Sequence, residues 1–424
     1  MSTTPGTSSH SLRLAEAVLP GHPDKLADQI ADAVLDIALA QDDRAIVQVE
    51  VAVHGDRCHV NGRCSTVGAP LDRDFVEATI RAVYGRAGFG IPFPGVGDGS
   101  DFQCPQGDRV RLDLSALTID EADPAERAER EYTDDQAIHV GYAVGTPETR
   151  WLPIEQHLVL VLRERLLHLT ATDRTLGAGP DGKILLALRP VAVGAGGVTK
   201  WAPTWVVTSV QHLAGAPTVR LERAVRAEIL GTLAEEAARM PSLLAAPDGD
   251  CRVRVNESGV FVEGGPMNDN GQTGRKLVCD FYGPHVAIGG GALSGKDPWR
   301  LDRAGAFRAR QVAVAMVETG FVREARVTFA WGPRDQRPSA AILEADGRAL
   351  DALTTARWLQ RFDPSLAATH AELGLARINW ENCARAGHFG RGLAWDRTVR
   401  GEGGSPQSSA SSTGTPQAAG SASR

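Results

Sequence analysis

Residues 264–283 read GGPMNDNGQTGRKLVCDFYG, and GGGALSGKD follows at 289–297. Both stretches combine clustered glycines with basic side chains and an aspartate. Glycine lets successive backbone N–H groups turn into a concave nest, to which Arg275, Lys276 and Lys296 add positive charge. One such stretch alone reads as a turn with solvated basic tips; two in close succession point to a phosphorylated ligand. Far upstream, GHPDK (21–25) opens a helical stretch. Pro23 suits a first helical turn and Asp24 is favoured at a positive helix end. His22 and Lys25 are not explained that way, because extra cations there are unfavourable unless an anion is near.

The segment GGALSGK (290–296) satisfies the G-x-x-x-x-G-K part of a P-loop. The match then fails, because Asp297 stands where a hydroxyl should reach magnesium and no continuous apolar strand leads in. The glycines and Lys296 still suit a polyphosphate in another frame.

Outward from these loops, amphipathic helical stretches alternate with short β-rich runs such as 45–53, 205–213, 253–265 and 324–332. The pattern predicts an α+β fold of three similar subdomains of mixed sheet and helices. Their helix pairs fall at 26–41 and 72–87, 154–169 and 218–238, and 302–319 and 348–361. The expected divisions are 12–115, 135–247 and 248–400. A charged connector or lid loop at 116–134 joins the first two, with the wider span 104–134 read as a mobile loop or an exposed helix. The Ser/Gly/Pro-rich ends, 1–11 and 401–424, are expected to be disordered.

The chain has 424 residues, 42% of them hydrophobic and 23% charged, which is ordinary for a globular protein with ample core. A net charge of -7 argues against nucleic-acid or acidic-membrane partners, so any phosphate must be gripped locally. Six cysteines form no CxxC pair, the N-terminus lacks a signal-peptide pattern, and no apolar run approaches a membrane span. A cytoplasmic location is expected.

Several residues have a plain structural reading. Asp24, Asp28, Asp32 and Asp36 form an i, i+4 row, and the last three read as a solvated helix face. His212, Trp331 and the aromatic ring of GHFGR (387–391) read as packing or interface groups.

GHPDKLADQIADAVLD, DDQAIHVGYA, VVTSVQHL, GGPMNDNGQTGRK, GGGALSGKD and GHFGR, in this order, resemble motifs of the methionine adenosyltransferases, also called S-adenosylmethionine synthetases. The resemblance runs over roughly residues 12 to 400. It implies the three-subdomain fold of that family and a homodimer or homotetramer with active sites at the subunit interface. It also implies attack of methionine sulfur on C5′ of ATP, with departure and cleavage of the triphosphate. Carried over by position, His22 assists the departing 5′ oxygen, and His22, Lys183, Arg275 and Lys296 form the catalytic set. Asp24 and Asp302 correspond to Mg²⁺ ligands and Glu50 to a K⁺ ligand. Asp135, Asp181, Asp269, Lys276 and Ala292 complete the ATP contacts, and Asp269, Arg300 and Arg63 fall at the amino-acid substrate.

The chain departs from the family pattern around that amino acid. Arg63 stands where a glutamate is expected, and Arg300 where a lysine is expected. The connector lacks the usual QSPDI and glycine-rich gate, and Ala287 and Ile288 stand where a basic residue is expected. An unscreened cation about 4 Å from a substrate ammonium would cost roughly 4 kcal/mol at an effective dielectric near 20. Three readings follow: methionine adenosyltransfer with an altered lid, the same ATP chemistry with a different and possibly acidic nucleophile, or a weakly active ATP-binding partner subunit.

Overall fold

Three four-stranded sheets organise the computed structural model, which describes residues 12–91, 109–194 and 197–397. The ends expected to be disordered lie outside these residues, as do residues 104–108 of the span 104–134.

The first sheet runs in the order β4-β3-β2-β9, with β2 (Ile46–His54), β3 (Arg57–Thr66), β4 (Arg111–Glu121) and β9 (Gly271–Gln272). Along β2 the alternation buries Val47, Val49, Val51 and Val53 against α1 (Pro23–Gln41), with α2 (Arg73–Ala87) packed beside it. The second sheet has the order β1-β6-β7-β8, with β1 (Arg13–Val18), β6 (Ala178–Gly194), β7 (Gly197–His212) and β8 (Arg252–Val255). Helices α4 (Ile154–Thr172) and α5 (Thr218–Arg239) cover it, and Leu162, Leu166, Ile229 and Leu233 join Leu186 and Val206 in a core of their own. The third sheet, β12-β11-β10-β5, consists of β5 (Ala137–Val144), β10 (Glu324–Trp331), β11 (Ala340–Ala345) and β12 (Arg348–Ala349). It packs on α7 (Leu301–Glu318), with α8 (Ala352–Arg361) and α9 (Leu366–Leu373) nearby, and shares one core with the first sheet.

The helix pairs fall where the periodicity placed them, but sheet membership does not follow the contiguous spans. β1 pairs with β6, β5 with β10, and β9 with β2. Each of these strands lies distant in sequence from its sheet. A strand needs only an unsatisfied edge of matching polarity, and the local pattern does not name which edge.

The charged connector is corrected as well. Residues 111–121 are not loop: β4 lies parallel to β3, and α3 (Pro124–Ala128), capped by Asp123, follows it. The segment is docked by charge, with Arg63 bonded to Glu126 at 2.7 Å, Arg127 to Asp42 at 2.6 Å and Arg130 to the buried Asp297.

The acidic row of α1 is the other correction. Asp28 and Asp32 are wholly buried, and the row is a docking rail. Asp24 accepts the Gln272 N–H at 3.0 Å, Asp28 that of Gly274 at 2.8 Å, and Asp32 that of Gly295 at 2.8 Å. Asp36 accepts the Trp380 and Glu381 N–H groups, both at 2.9 Å, at the start of α10 (Trp380–Ala386). The i, i+4 spacing lines carboxylates along one side of a helix, and here both glycine-rich loops hang from them.

Candidate functional site

Two positions show why those loops need glycine. Gly274 has φ +79°, and a Cβ there would stand 2.7 Å from the Cβ of Ala292, so the two loops touch back to back. Gly295 has φ +82°, and its Cβ would meet the Val49 carbonyl oxygen at 2.0 Å. Only glycine permits this approach of the second loop to β2.

The sequence-expected residues gather around two cavities. The first, about 250 Å³, is lined by His22, Asp181, Lys183 and Asp269, together with Ser209 and Asn268. His22 caps α1: its Nδ1 accepts the Asp24 N–H at 3.2 Å, which assigns the ring proton to Nε2. Burial, with Lys276 and Lys183 close by, lowers the His22 pKa to about 3, so the ring is a neutral donor. Asp24 pairs with Lys276 and lies 3.5 Å from Arg275 Nη1. Against the upward pull of burial, Lys276 and the Gln272 N–H hold Asp24 below the usual carboxylate range. Asp181 accepts the Gly265 N–H at 2.8 Å, and burial raises its pKa to about 6.

The second cavity, about 270 Å³, is lined by Gln48, Asp134, Asp135, Lys296, Arg300 and Asp302. Lys296 Nζ donates to Asp302 at 2.5 Å, and His139 Nε2 stands 3.6 Å from the other Asp302 oxygen. Burial raises Asp302 in part, but His139 and Lys296 prevail and hold it low. Arg300 is paired with Asp134, and burial lowers its pKa. Glu50, on β2, accepts no side-chain hydrogen bond among the described residues, and burial raises its pKa despite Lys296 nearby.

Two expectations change. Lys25 does not face the site: its ammonium turns inward to Asp28 at 3.0 Å and to Asp280, at the end of α6 (Leu277–Asp280). Arg63 lies 3.5 Å from Asp120 and 2.7 Å from Glu126, so the connector supplies the acids that neutralise it. Sequence reasoning passed over Asp134, the neighbour of Asp135, and Ser209, which the register sets opposite Lys183. It also passed over Gln211, whose Oε1 accepts the Asp181 N–H at 3.3 Å and which leaves no room for a Cβ at Gly264. VVTSVQHL held the signal for the last two. Among the described residues no group of three or more His, Cys, Asp or Glu forms a ready-made metal cage.

Comparison with known proteins identifies this arrangement. The model of the S-adenosylmethionine synthetase N-terminal domain matches residues 10–90, and that of the C-terminal domain matches residues 263–397. The S-adenosylmethionine synthase of Thermus thermophilus is 36% identical over 402 residues, covering 92% of this chain and 98% of that protein. The chain belongs to the S-adenosylmethionine synthetase family. S-adenosylmethionine synthase 1 of Rhodospirillum rubrum is 34% identical, covering 91% of this chain and 96% of its own. The synthase of Parasynechococcus marenigrum is 32% identical over 398 residues. Within this synthetase family the α+β build of paired helices on separate sheets is accounted for, and the matched segments contain both glycine-rich loops and the GHPDK cap. The connector, with β4 and α3, lies outside both matched segments.

Proposed function

We propose that this chain is a methionine adenosyltransferase, converting ATP, L-methionine and water to S-adenosylmethionine, diphosphate and phosphate. The methionine sulfur attacks C5′, the C5′–O5′ bond breaks with its electron pair leaving on the triphosphate, and water then cleaves the triphosphate. A thioether needs no base, so the protein's task is to stabilise the leaving group by fixed charge and orientation. In this reading His22 donates from Nε2 to the departing O5′. Lys183, Arg275, Lys276 and Lys296 hold phosphate oxygens, while Asp135, Asp181, Asp269 and Ala292 bound the nucleotide. Arg300 takes the methionine carboxylate and Asp269 its ammonium.

Metals fit as passengers of the phosphates. Asp24 and Asp302 each carry a lysine ammonium, Lys276 and Lys296, where a divalent cation would sit. A polyphosphate drawing those lysines away would free one carboxylate for each Mg²⁺, in keeping with an ion that keeps several waters. Glu50, a half-buried carboxylate without a hydrogen-bond donor, suits K⁺. The cations would supply charge neutralisation on the phosphate oxygens.

The observation that carries the reading is the convergence of His22, Asp181, Lys183 and Asp269 on one cavity, beside Arg275 and Lys276, from three separate stretches of sequence. The neutralised Arg63 favours methionine over an acidic acceptor, since no free guanidinium stands waiting for an extra carboxylate. The two cavities share no lining residue, which supports completion of each site by a second copy in a homodimer or homotetramer. Among the described residues no helix is long and apolar enough to cross a membrane, and we place the enzyme in the cytoplasm.

The test is incubation of pure protein with ATP, Mg²⁺ and K⁺, with and without L-methionine, with products weighed by mass spectrometry and phosphate counted. Methionine-dependent S-adenosylmethionine with one diphosphate and one phosphate per turnover is the expected result. Adenosyl products formed only with another nucleophile, or no triphosphate cleavage with any, would overturn it.

A further inference from the structure

A larger cavity, about 470 Å³, lies between α4, the end of α5 and the GHFGR segment after α10, and shares no lining residue with the nucleotide site. Five arginines line it against three glutamates. Three of the arginines have acidic partners: Arg163 bonds Glu164 at 2.7 Å, Arg239 bonds Glu236 at 2.5 Å, and Arg165 pairs with Glu235. The other two do not. Among the described residues the Arg150 guanidinium donates only to the Gly390 carbonyl, at 3.1 Å, and the Arg391 guanidinium makes no hydrogen bond or close ion pair. Burial draws the Arg391 pKa down; Cys383 and Glu164 oppose that pull, and Arg163 and Arg150 add to it.

One buried ion pair holds both unpaired arginines in place. Arg310 is fully buried and donates to Asp396 Oδ1 at 3.0 Å, to the Trp151 carbonyl at 3.1 Å and to the Arg150 carbonyl at 3.0 Å. The second Asp396 oxygen accepts the Arg391 N–H at 2.9 Å and that of Gly392 at 3.2 Å. Arg150 and Trp151 both have positive φ, 55° and 62°, a costly conformation for side-chain-bearing residues that persists only where the surroundings enforce it. The fold thus fixes the backbone of Arg150 and Arg391 through strain and a buried charge pair, and both side chains line one opening, where neither guanidinium is hydrogen-bonded to a carboxylate among the described residues.

We propose that this cavity is a second ligand site, for a small metabolite bearing a phosphate or sulfate. The oxyanion sits between Arg391 and Arg150, which match its oxygens bidentately. The organic part lies against Leu160, Val161 and Phe389 on the same wall, and the volume is in the usual range for small-molecule sites. The inference stands whether or not the proposed adenosyltransfer is right, since it uses none of those residues.

The test is a soak of crystals of the full chain in tungstate, a tetrahedral oxyanion visible by anomalous scattering, with parallel solution titrations of inorganic phosphate and of sulfate. A tungstate peak between Arg391 and Arg150 is expected. In solution, Arg391→Gln should weaken phosphate binding at least tenfold, Arg391→Lys should keep most of it, and Arg275→Gln, altered at the nucleotide site, should retain the second binding event. Sulfate binding as well as phosphate would mark a general oxyanion pocket; phosphate alone would mark a phosphorylated ligand. Tungstate confined to the Lys183 and Lys296 cavities, or phosphate binding unchanged in Arg391→Gln, would overturn the proposal. Should Arg391→Gln fail to fold, the soak of the unaltered protein decides by itself.

Discussion

His22 and Lys25 look alike in the sequence, two unexplained cations at one helix start, yet their fates are opposite. His22 spends one ring nitrogen on the cap and lines the cavity with the rest. Lys25, one helical turn on, points into the core, where Asp28 and Asp280 outweigh burial and keep it charged. In His22→Asn the amide oxygen can still cap Asp24, but no donor reaches the leaving oxygen. Its melting temperature should hold while kcat falls by about 10²–10³, the usual cost of losing one oxyanion donor. A kcat within threefold of the unaltered enzyme would remove His22 from the chemistry. Arg63 teaches the same lesson about partners. Its charge reversal was plain in the sequence, but Glu126 lies 63 residues away and only folding joins them. Arg63→Glu should loosen the connector and raise the KM for methionine, and the swap Arg63→Glu with Glu126→Arg should recover it. The pair is exposed, so a double-mutant cycle should find about 0.2–1 kcal/mol of coupling in stability. A single Arg63→Glu variant with a lower KM would contradict this account.

At the scale of elements, α1 was easy to place and hard to interpret. Its apolar residues, early proline and spacing announced a helix, whereas three of its four aspartates at i, i+4, Asp28, Asp32 and Asp36, looked like a solvated face. They are buried because loops far along the chain bring N–H groups, Lys276 and Arg303 to them. Asp32→Ala would leave Arg303, already with two unpartnered nitrogens, as an uncompensated buried charge. Thermal or urea unfolding should show a loss of about 3–5 kcal/mol, the cost of breaking a buried ion pair from one side. Asp36 makes a pH test. Burial raises its folded pKa to about 7, well above the 3.8 of the free side chain, so the folded state resists ionisation. Its contribution to stability therefore falls as pH rises from about 4 to 7. Asp36→Asn lacks that loss, so its stability relative to the unaltered protein should improve on going from pH 5 to pH 8; a constant or worsening difference would refute the assignment. The connector misled for a related reason: β4 alternates weakly, and its parallel partner β3 is what makes it a strand.

Across the whole molecule, the two cavities of the nucleotide site lie in one chain without a common lining residue. If each active site takes His22 from one copy and Lys296 from another, mixing inactive His22→Asn and Lys296→Ala chains should restore S-adenosylmethionine synthesis. In mixed dimers one site would carry both changes and the other neither. No restoration after subunit exchange would mean that one chain completes its own site. The sequence by itself determined the helices, the mixed α+β class, the two loops that demand glycine and the basic groups that demand an anion. Those properties come from neighbours a few residues apart, through periodicity, capping and steric freedom. Only the tertiary structure decided which sheet takes each of β1, β5 and β9, which acids neutralise Arg63 and Lys25, and that Arg150 and Arg391 share one opening. Those outcomes depend largely on pairings between distant parts of the chain, from 63 residues for Arg63 and Glu126 to 255 for Lys25 and Asp280, where burial and charge balance choose among partners that local pattern leaves equivalent.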